Sequence, residues 1–189
     1  MAYEDFLEYT TQVSPLSADN LAALFSITKE LTLRKGDVLL KAGELCTCYY
    51  LVHTGYLRSF YDKDGVDINT HFTFEGRFVT NMKSMKTVSP SEFTIEAGEP
   101  STAWAIDAKK LASLANDVPE IMLFTRRILS RMLLKMEEHS NLFKLYTPKE
   151  RYAFIEQNHP RLLQRVSLSQ LASYLGVTRE TLSRIRKKK

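Results

Sequence analysis

Hydrophobic and polar positions along this chain follow three successive patterns, and each marks a different kind of structure. Between residues 31 and about 106, short β-rich segments at 31–33, 38–40, 49–52, 56–61 and 66–74 are separated by turn signals. The turns are Lys35-Gly36-Asp37, Ala42-Gly43-Glu44, His53-Thr54-Gly55 and Asp62-Lys63-Asp64-Gly65. Several short strands with frequent glycine turns predict a small antiparallel roll or barrel, whose closure removes exposed edges. Asp64-Gly65 suits a tight hairpin, which needs positive φ.

A helical period follows. Asn116-Asp117 reads as a capping region, Pro119 as a first-turn residue, and the helix runs to about residue 145. Ile121, Phe124 or Thr125, Ile128, Met132, Lys135 or Met136, and His139 form a stripe near heptad spacing, widened by Leu129, Leu133, Leu142 and Phe143. Such a helix spans ~40 Å at about 1.5 Å per residue, more than one small barrel covers. Part of its apolar surface is therefore expected to meet a second copy; the alternative is a helix used wholly within one chain's core. Thr147-Pro148 ends it and caps a further helix at 148–158, leaving His159-Pro160 as a connector.

The last period, over residues 168–187, is that of a helix-turn-helix. Counting Leu168 as the first position, small Ala172 falls fifth, where the helices approach most closely, and Gly176 falls ninth, at the turn. Leu171, Leu175, Val177, Leu182 and Ile185 fall where two crossing helices bury a shared core. Ser167 with Gln170 reads as a capping box. The second helix is expected to begin near Thr178 and to expose Arg179, Glu180, Ser183 and Arg184 at one-turn spacing. An arginine fork pairs with guanine O6 and N7, and a carboxylate accepts from cytosine N4, so this is a major-groove reading face. Ser169 and Thr178, at the starts of the two helices, complete the candidate DNA-binding set.

Charge agrees with that placement. From residue 147 onward there are ten Lys or Arg and three Glu, a net of +7; the whole chain of 189 residues carries +4, so residues 1–146 carry −3. A cationic end on a mildly acidic body suggests that the C-terminal part meets the polyanion. The run 186–189 reads equally as a set of phosphate contacts and as a frayed, solvated tail. No stretch of eighteen apolar residues and no basic-then-apolar leader occurs, so a cytoplasmic protein without a membrane span is expected. Cys46 and Cys48 read as ordinary strand residues; two thiols are too few for a cysteine-ligated cluster or an all-cysteine zinc site. His53, His71, His139 and His159 show no metal-ligand spacing, and no nucleophile–base set or paired carboxylates appear. Neither an enzyme nor a cofactor is expected.

Barrel, long helix and helix-turn-helix, in that order, resemble the Crp/Fnr superfamily of bacterial transcription regulators across roughly residues 5–188. The most specific match is Gln170-Leu-Ala-Ser-Tyr-Leu-Gly-Val-Thr-Arg-Glu-Thr-Leu-Ser-Arg184; a second is Gly36, Gly43, Tyr50-Leu51, Gly55, Arg58 and Asp64-Gly65, which looks like the cyclic-nucleotide-binding fold. The resemblance implies an α+β protein: an antiparallel β-roll with N-terminal helices (1–115), a dimerisation helix (116–146) and a small all-α DNA-binding domain (147–189). It implies a homodimer paired through residues about 117–145 on a palindromic duplex, with RNA polymerase as a candidate partner. In the family, residues matching Arg179, Glu180 and Arg184 read bases, and Ser183 is similar to part of the Fnr branch's reading motif.

The effector position departs from the family. Cyclic AMP binders hold the phosphate with Gly-Glu-Leu and, eight residues on, Arg followed by Ser or Thr and Ala. Aligned without gaps, this chain has Thr80-Asn81-Met82 and Ser91-Glu92-Phe93. These lack the ribose-binding carboxylate and the guanidinium fork, and Glu92 adds a negative charge near a phosphate. Cyclic AMP is therefore not the expected effector. Thr80, Asn81, Met82, Lys83, Ser91 and Glu92 remain the candidate pocket for another small molecule, or for none. An alternative output, through a protein partner of a sensor domain, would dispense with the reading face.

Overall fold

The computed structural model describes residues 2–187, in which eight strands form two antiparallel four-stranded sheets surrounded by nine helices. Helices α1 (Ala2–Val13) and α2 (Ala18–Ser26) precede strands β1 (Thr28–Leu33), β2 (Val38–Leu40), β3 (Cys48–Thr54), β4 (Tyr56–Lys63), β5 (Val66–Phe74) and β6 (Phe78–Val79). Helix α3 (Met82–Thr87) separates them from β7 (Thr94–Ala97) and β8 (Ser101–Asp107). The sheet orders are β1-β8-β3-β6 and β2-β7-β4-β5. This is the antiparallel roll that the glycine punctuation predicts, within an α+β chain. The β4–β5 turn has Asp64 at φ 56° and Gly65 at φ 77°, the tight turn expected there. Strand β8 carries no clean alternation because both its faces are buried. Trp104 and Ile106 pack toward the helices, while Ala105 packs toward the roll interior with Val52, Leu57 and Ile95.

The long helix differs from expectation in two respects. Asn116 and Asp117 do not cap it; they end a separate helix, α4 (Ala108–Asp117), and α5 (Pro119–Leu145) starts from Val118 with no side-chain cap. Val118 precedes a proline, which disfavours helical backbone, so one predicted start becomes a break between two helices. The second difference is the use of the apolar stripe. Ile121, Phe124 and Ile128 are buried against Phe6, Leu24 and Trp104, with Met132 and Leu129 packed alongside. The stripe from Ile121 to Met132 is thus core within one chain. Leu133 and Met136 of the same stripe stay 65% and 60% exposed, and Leu134 (64%), Met122 and Leu123 are exposed beside it.

Beyond α5 come α6 (Pro148–Asn158), α7 (Pro160–Arg165), α8 (Leu168–Leu175) and α9 (Arg179–Lys187). His159-Pro160 is more than a connector, since Pro160 opens α7. Cys46 lies just before β3 rather than in a strand, is buried, and like Cys48 is a free thiol. The C-terminal helices do not stand apart from the roll. Tyr56 of β4 is buried in the same cluster as Leu142, Ile155, Leu162, Leu171 and Leu182, with Phe72 and Phe74 of β5 packed against it. Gly98 permits this: a Cβ there would lie 2.0 Å from the Tyr56 ring.

Candidate nucleic-acid interface

The helix-turn-helix forms because each of its ends is chemically stopped. Ser167 Oγ accepts from the Gln170 N–H at 3.3 Å and caps α8. The box is only half made, because Gln170 Oε1 accepts from the Ser167 hydroxyl (3.0 Å). Gly176 ends α8 at φ 68°, and Val177 N–H closes on Ala172 O (3.0 Å), so the chain reverses within three residues. A Cβ at Gly176 would also meet the Phe143 ring at 3.1 Å. Leu171, Ala172, Leu175 and Leu182 are buried between the helices, with Val177 and Ile185 packed against them. Arg151 of α6 braces this corner, donating to Leu175 O (3.0 Å), Tyr146 O (3.0 Å) and Phe143 O (3.3 Å).

Helix α9 begins one residue after Thr178, whose Oγ1 accepts from the Thr181 N–H (3.2 Å). Arg179, Glu180 and Arg184 are exposed and Ser183 is half-buried, while Leu182 is fully buried. Ser169 and Thr178 are exposed beside them. Arg184 Nη2 donates to Thr181 Oγ1 (3.2 Å), which restrains the guanidinium before any partner arrives. The basic excess of this region is not all available to a polyanion. Arg151 is used as above, and Arg165 is bound to two carboxylates of the roll, so the outward cations here include Arg179, Arg184, Arg186 and Lys187. Of the closing run, Lys188 and Lys189 lie outside the described residues.

A seam holds this unit to the roll. Arg165 of α7 grips Glu75 bidentately (2.8 and 3.0 Å) and also bonds Glu99, and Arg161 adds a second cation to Glu75 at 3.3 Å. Burial alone would raise the Glu75 carboxyl, but the Arg165 hydrogen bonds and charge outweigh it and hold the group below its ordinary value. Ser173 of α8 donates to Asp67 O (2.8 Å) and accepts from Asn69 N–H (2.9 Å), satisfying the open edge of β5. Nearby, the His71 and His139 rings stack at 5.2 Å, and Tyr174 and Phe143 sit 5.3 and 4.8 Å from His139. His159 pairs with Glu138 at 2.7 Å. No sequence spacing announced these histidine contacts, which join β5, α5 and α8.

The six residues of the effector position divide into two groups. Thr80, Asn81 and Ser91 are buried, and their polar atoms are satisfied by neighbours. Asn81 Oδ1 caps α3 by accepting from Ser84 N–H (3.0 Å), and its Nδ2 donates to Ser91 Oγ (2.9 Å). Ser91 in turn donates to Phe93 O (2.6 Å), and Thr80 to Cys48 O (2.9 Å). Met82 packs into the helical core. Lys83 and Glu92 form an exposed ion pair outside it. Asn81 and Ser91 therefore meet each other across the place where the aligned cassette would bring its carboxylate and guanidinium.

Comparison with known proteins agrees with this architecture. Residues 30–117 match the family model for the cyclic nucleotide-binding domain. Across 183 residues the chain is 27% identical to the transcriptional activator protein Anr of Pseudomonas protegens, covering 90% of this chain and 74% of that one. The same figures hold for the transcriptional activator FnrA of Stutzerimonas stutzeri. The chain is thus similar to transcription regulators of the Crp/Fnr type, with a cyclic nucleotide-binding domain match over residues 30–117. The fold of this chain is also that of FixK2 from Bradyrhizobium japonicum (TM-score 0.72, 22% identity, 86% of this chain and 84% of that one). It is shared by the c-di-GMP responsive global regulator CLP of Xanthomonas campestris (TM-score 0.70, 21% identity, 91% of each chain). The relatives are transcription regulators, not enzymes, and no described helix is long and apolar enough to cross a membrane.

Proposed function

We propose that this protein is a sequence-specific transcription regulator that binds double-stranded DNA as a homodimer and does not respond to cyclic AMP. The observation that carries the reading is the surface of α9: Arg179, Glu180 and Arg184 are exposed to solvent while Leu182 is buried, with Ser169 and Thr178 exposed beside them. In this reading Arg179 and Arg184 fork onto guanine edges and Glu180 accepts from cytosine N4, while Ser169, Thr178 and Ser183 supply shorter contacts to the same groove and its phosphates. Two copies joined along the exposed Met122, Leu123, Leu133, Leu134 and Met136 would present two such helices to half-sites ~34 Å apart. RNA polymerase is the further partner such a protein needs if it activates.

The mutual hydrogen bonding of Asn81 and Ser91 supports the cyclic AMP part of the reading, because a nucleotide phosphate there would have to break buried bonds and gain no guanidinium in return. Replacing Arg184 by Ala tests the reading face. The account expects ~1–3 kcal/mol less discrimination at one base pair per half-site. Unchanged sequence preference would remove Arg184 from the reading set.

A further inference from the structure

From the seam and the exposed reading face together, we infer that the docked helix-turn-helix is itself the DNA-competent state, held in place by the protein's own residues with no small molecule in the roll. The inference rests on the DNA-binding reading above and concerns how that site is regulated. The contacts that tie the C-terminal unit to the roll come from α7 and from one side of α8: Arg161 and Arg165 to Glu75, Arg165 to Glu99, and Ser173 to the β5 edge. Tyr174 meets Phe72 at 5.5 Å on the same side. Arg179, Glu180 and Arg184 stay exposed while all of these contacts are made. Docking therefore fixes the orientation of the reading helix without covering it.

The effector position of the roll is already closed by the chain's own bonds. A ligand that switches a protein does so only through contacts it makes in one state and not in the other. Around the aligned cassette those contacts already exist within the chain, between Asn81 and Ser91, Asn81 and Ser84, and Thr80 and Cys48. The seam likewise consists of bonds between the chain's own groups, Arg165 with Glu75 and Glu99 and Ser173 with the β5 edge. A groove of about 630 Å³ does separate the β4–β5 hairpin from α8 and α9, with Val66 and Ile68 on one wall and Thr178 and Arg179 on the other. The hairpin stands beside the start of the reading helix and leaves it open to solvent.

A cross-link separates this arrangement from an autoinhibited one. Ser173 bonds the residues on both sides of Ile68, so Ile68→Cys with Ser173→Cys, in a Cys48→Ser background, joins β5 to α8 when oxidised. The probe is the duplex selected by the unmodified protein, measured by fluorescence anisotropy before and after reduction. The oxidised form is expected to bind within about twofold of the reduced form. A loss of tenfold or more that reduction restores would show that docking blocks DNA and overturn the inference. Unchanged binding in the oxidised form supports the docked arrangement as the DNA-competent one. If the unmodified and reduced proteins select no duplex, the DNA-binding reading itself fails, an outcome distinct from both. Arg165→Ala, which loosens the seam without touching α9, is expected to weaken binding at least fivefold; an increase would also overturn the inference.

Discussion

Removing the Arg165 side chain is the sharpest perturbation of the fold, because one guanidinium joins two carboxylates and two rings across the junction. It bonds both oxygens of Glu75 at 2.8 and 3.0 Å, bonds Glu99, and lies 5.1 Å from the Phe74 ring centroid and 5.8 Å from that of Tyr56. Breaking a fully buried pair costs ~3–5 kcal/mol, whereas exposed pairs contribute about 0.2–1. With side chains of Arg165 and Glu75 25% and 23% exposed, this site lies between those limits. Arg161 remains with Glu75 and softens the loss, while the cation–π contacts add about 0.5–1 kcal/mol to it. Arg165→Ala is thus expected to lower stability by ~2–3 kcal/mol. In urea, at a slope of ~1–3 kcal/mol per M, this is a midpoint shift of roughly 1 M. The assay is equilibrium unfolding at pH 7 on Arg165→Ala, Glu75→Gln and the double variant, which yields the coupling energy directly. A single-variant cost below about 0.5 kcal/mol, or coupling near zero, would refute the reasoning and reduce the network to a surface ion pair.

Ala172→Leu places three extra carbons at a residue 2% exposed between α8 and α9, and should cost ~1–3 kcal/mol in thermal or urea unfolding. Burial pulls the His139 imidazole below its ordinary 6.5, with Glu138 partly opposing, so the folded state favours the neutral ring. Stability is therefore present above pH 6.5 and is lost as pH falls below it; the slope between pH 7 and 5.5 should flatten in His139→Gln, as read by urea midpoints. Leu133→Arg with Leu134→Arg puts charge on residues exposed in one chain, so sedimentation should show a monomer with an unchanged circular dichroism spectrum; a persisting dimer would exclude this face. Cyclic AMP at ~1 mM should leave the melting temperature unmoved, since binding at 100 times Kd would add about 2.7 kcal/mol.

The parts legible in the sequence were those fixed by neighbours in sequence. Ala172 and Gly176 sit four residues apart and set the helix-turn-helix by local sterics, so its two helices could be read off directly. Turn chemistry likewise marked the roll, though not β8, where burial on both faces erased the alternation. The apolar stripe of α5 was visible, but a single helix does not say what covers it. Ile121, Phe124 and Ile128 turn inward onto Phe6 and Trp104, residues more than a hundred or about twenty positions away in the chain, so that part of the stripe is core, while Leu133 and Met136 further along it stay exposed. The seam was illegible for the same reason. Arg165 and Glu75 are ninety residues apart, and nothing local distinguishes them from solvated charges. At the effector position, alignment revealed which groups Thr80, Asn81 and Ser91 lack; that Asn81 and Ser91 bond each other depends on how the loop around α3 closes.

Selection of bound duplexes from random DNA by the purified, unmodified protein, at ~0.1 M salt and with no small molecule added, tests the central claim most directly. The account predicts recovery of a two-fold symmetric site with half-sites one helical turn apart, whose key base pairs lose their selectivity in Arg184→Ala. Recovery of nothing above non-specific background would contradict it.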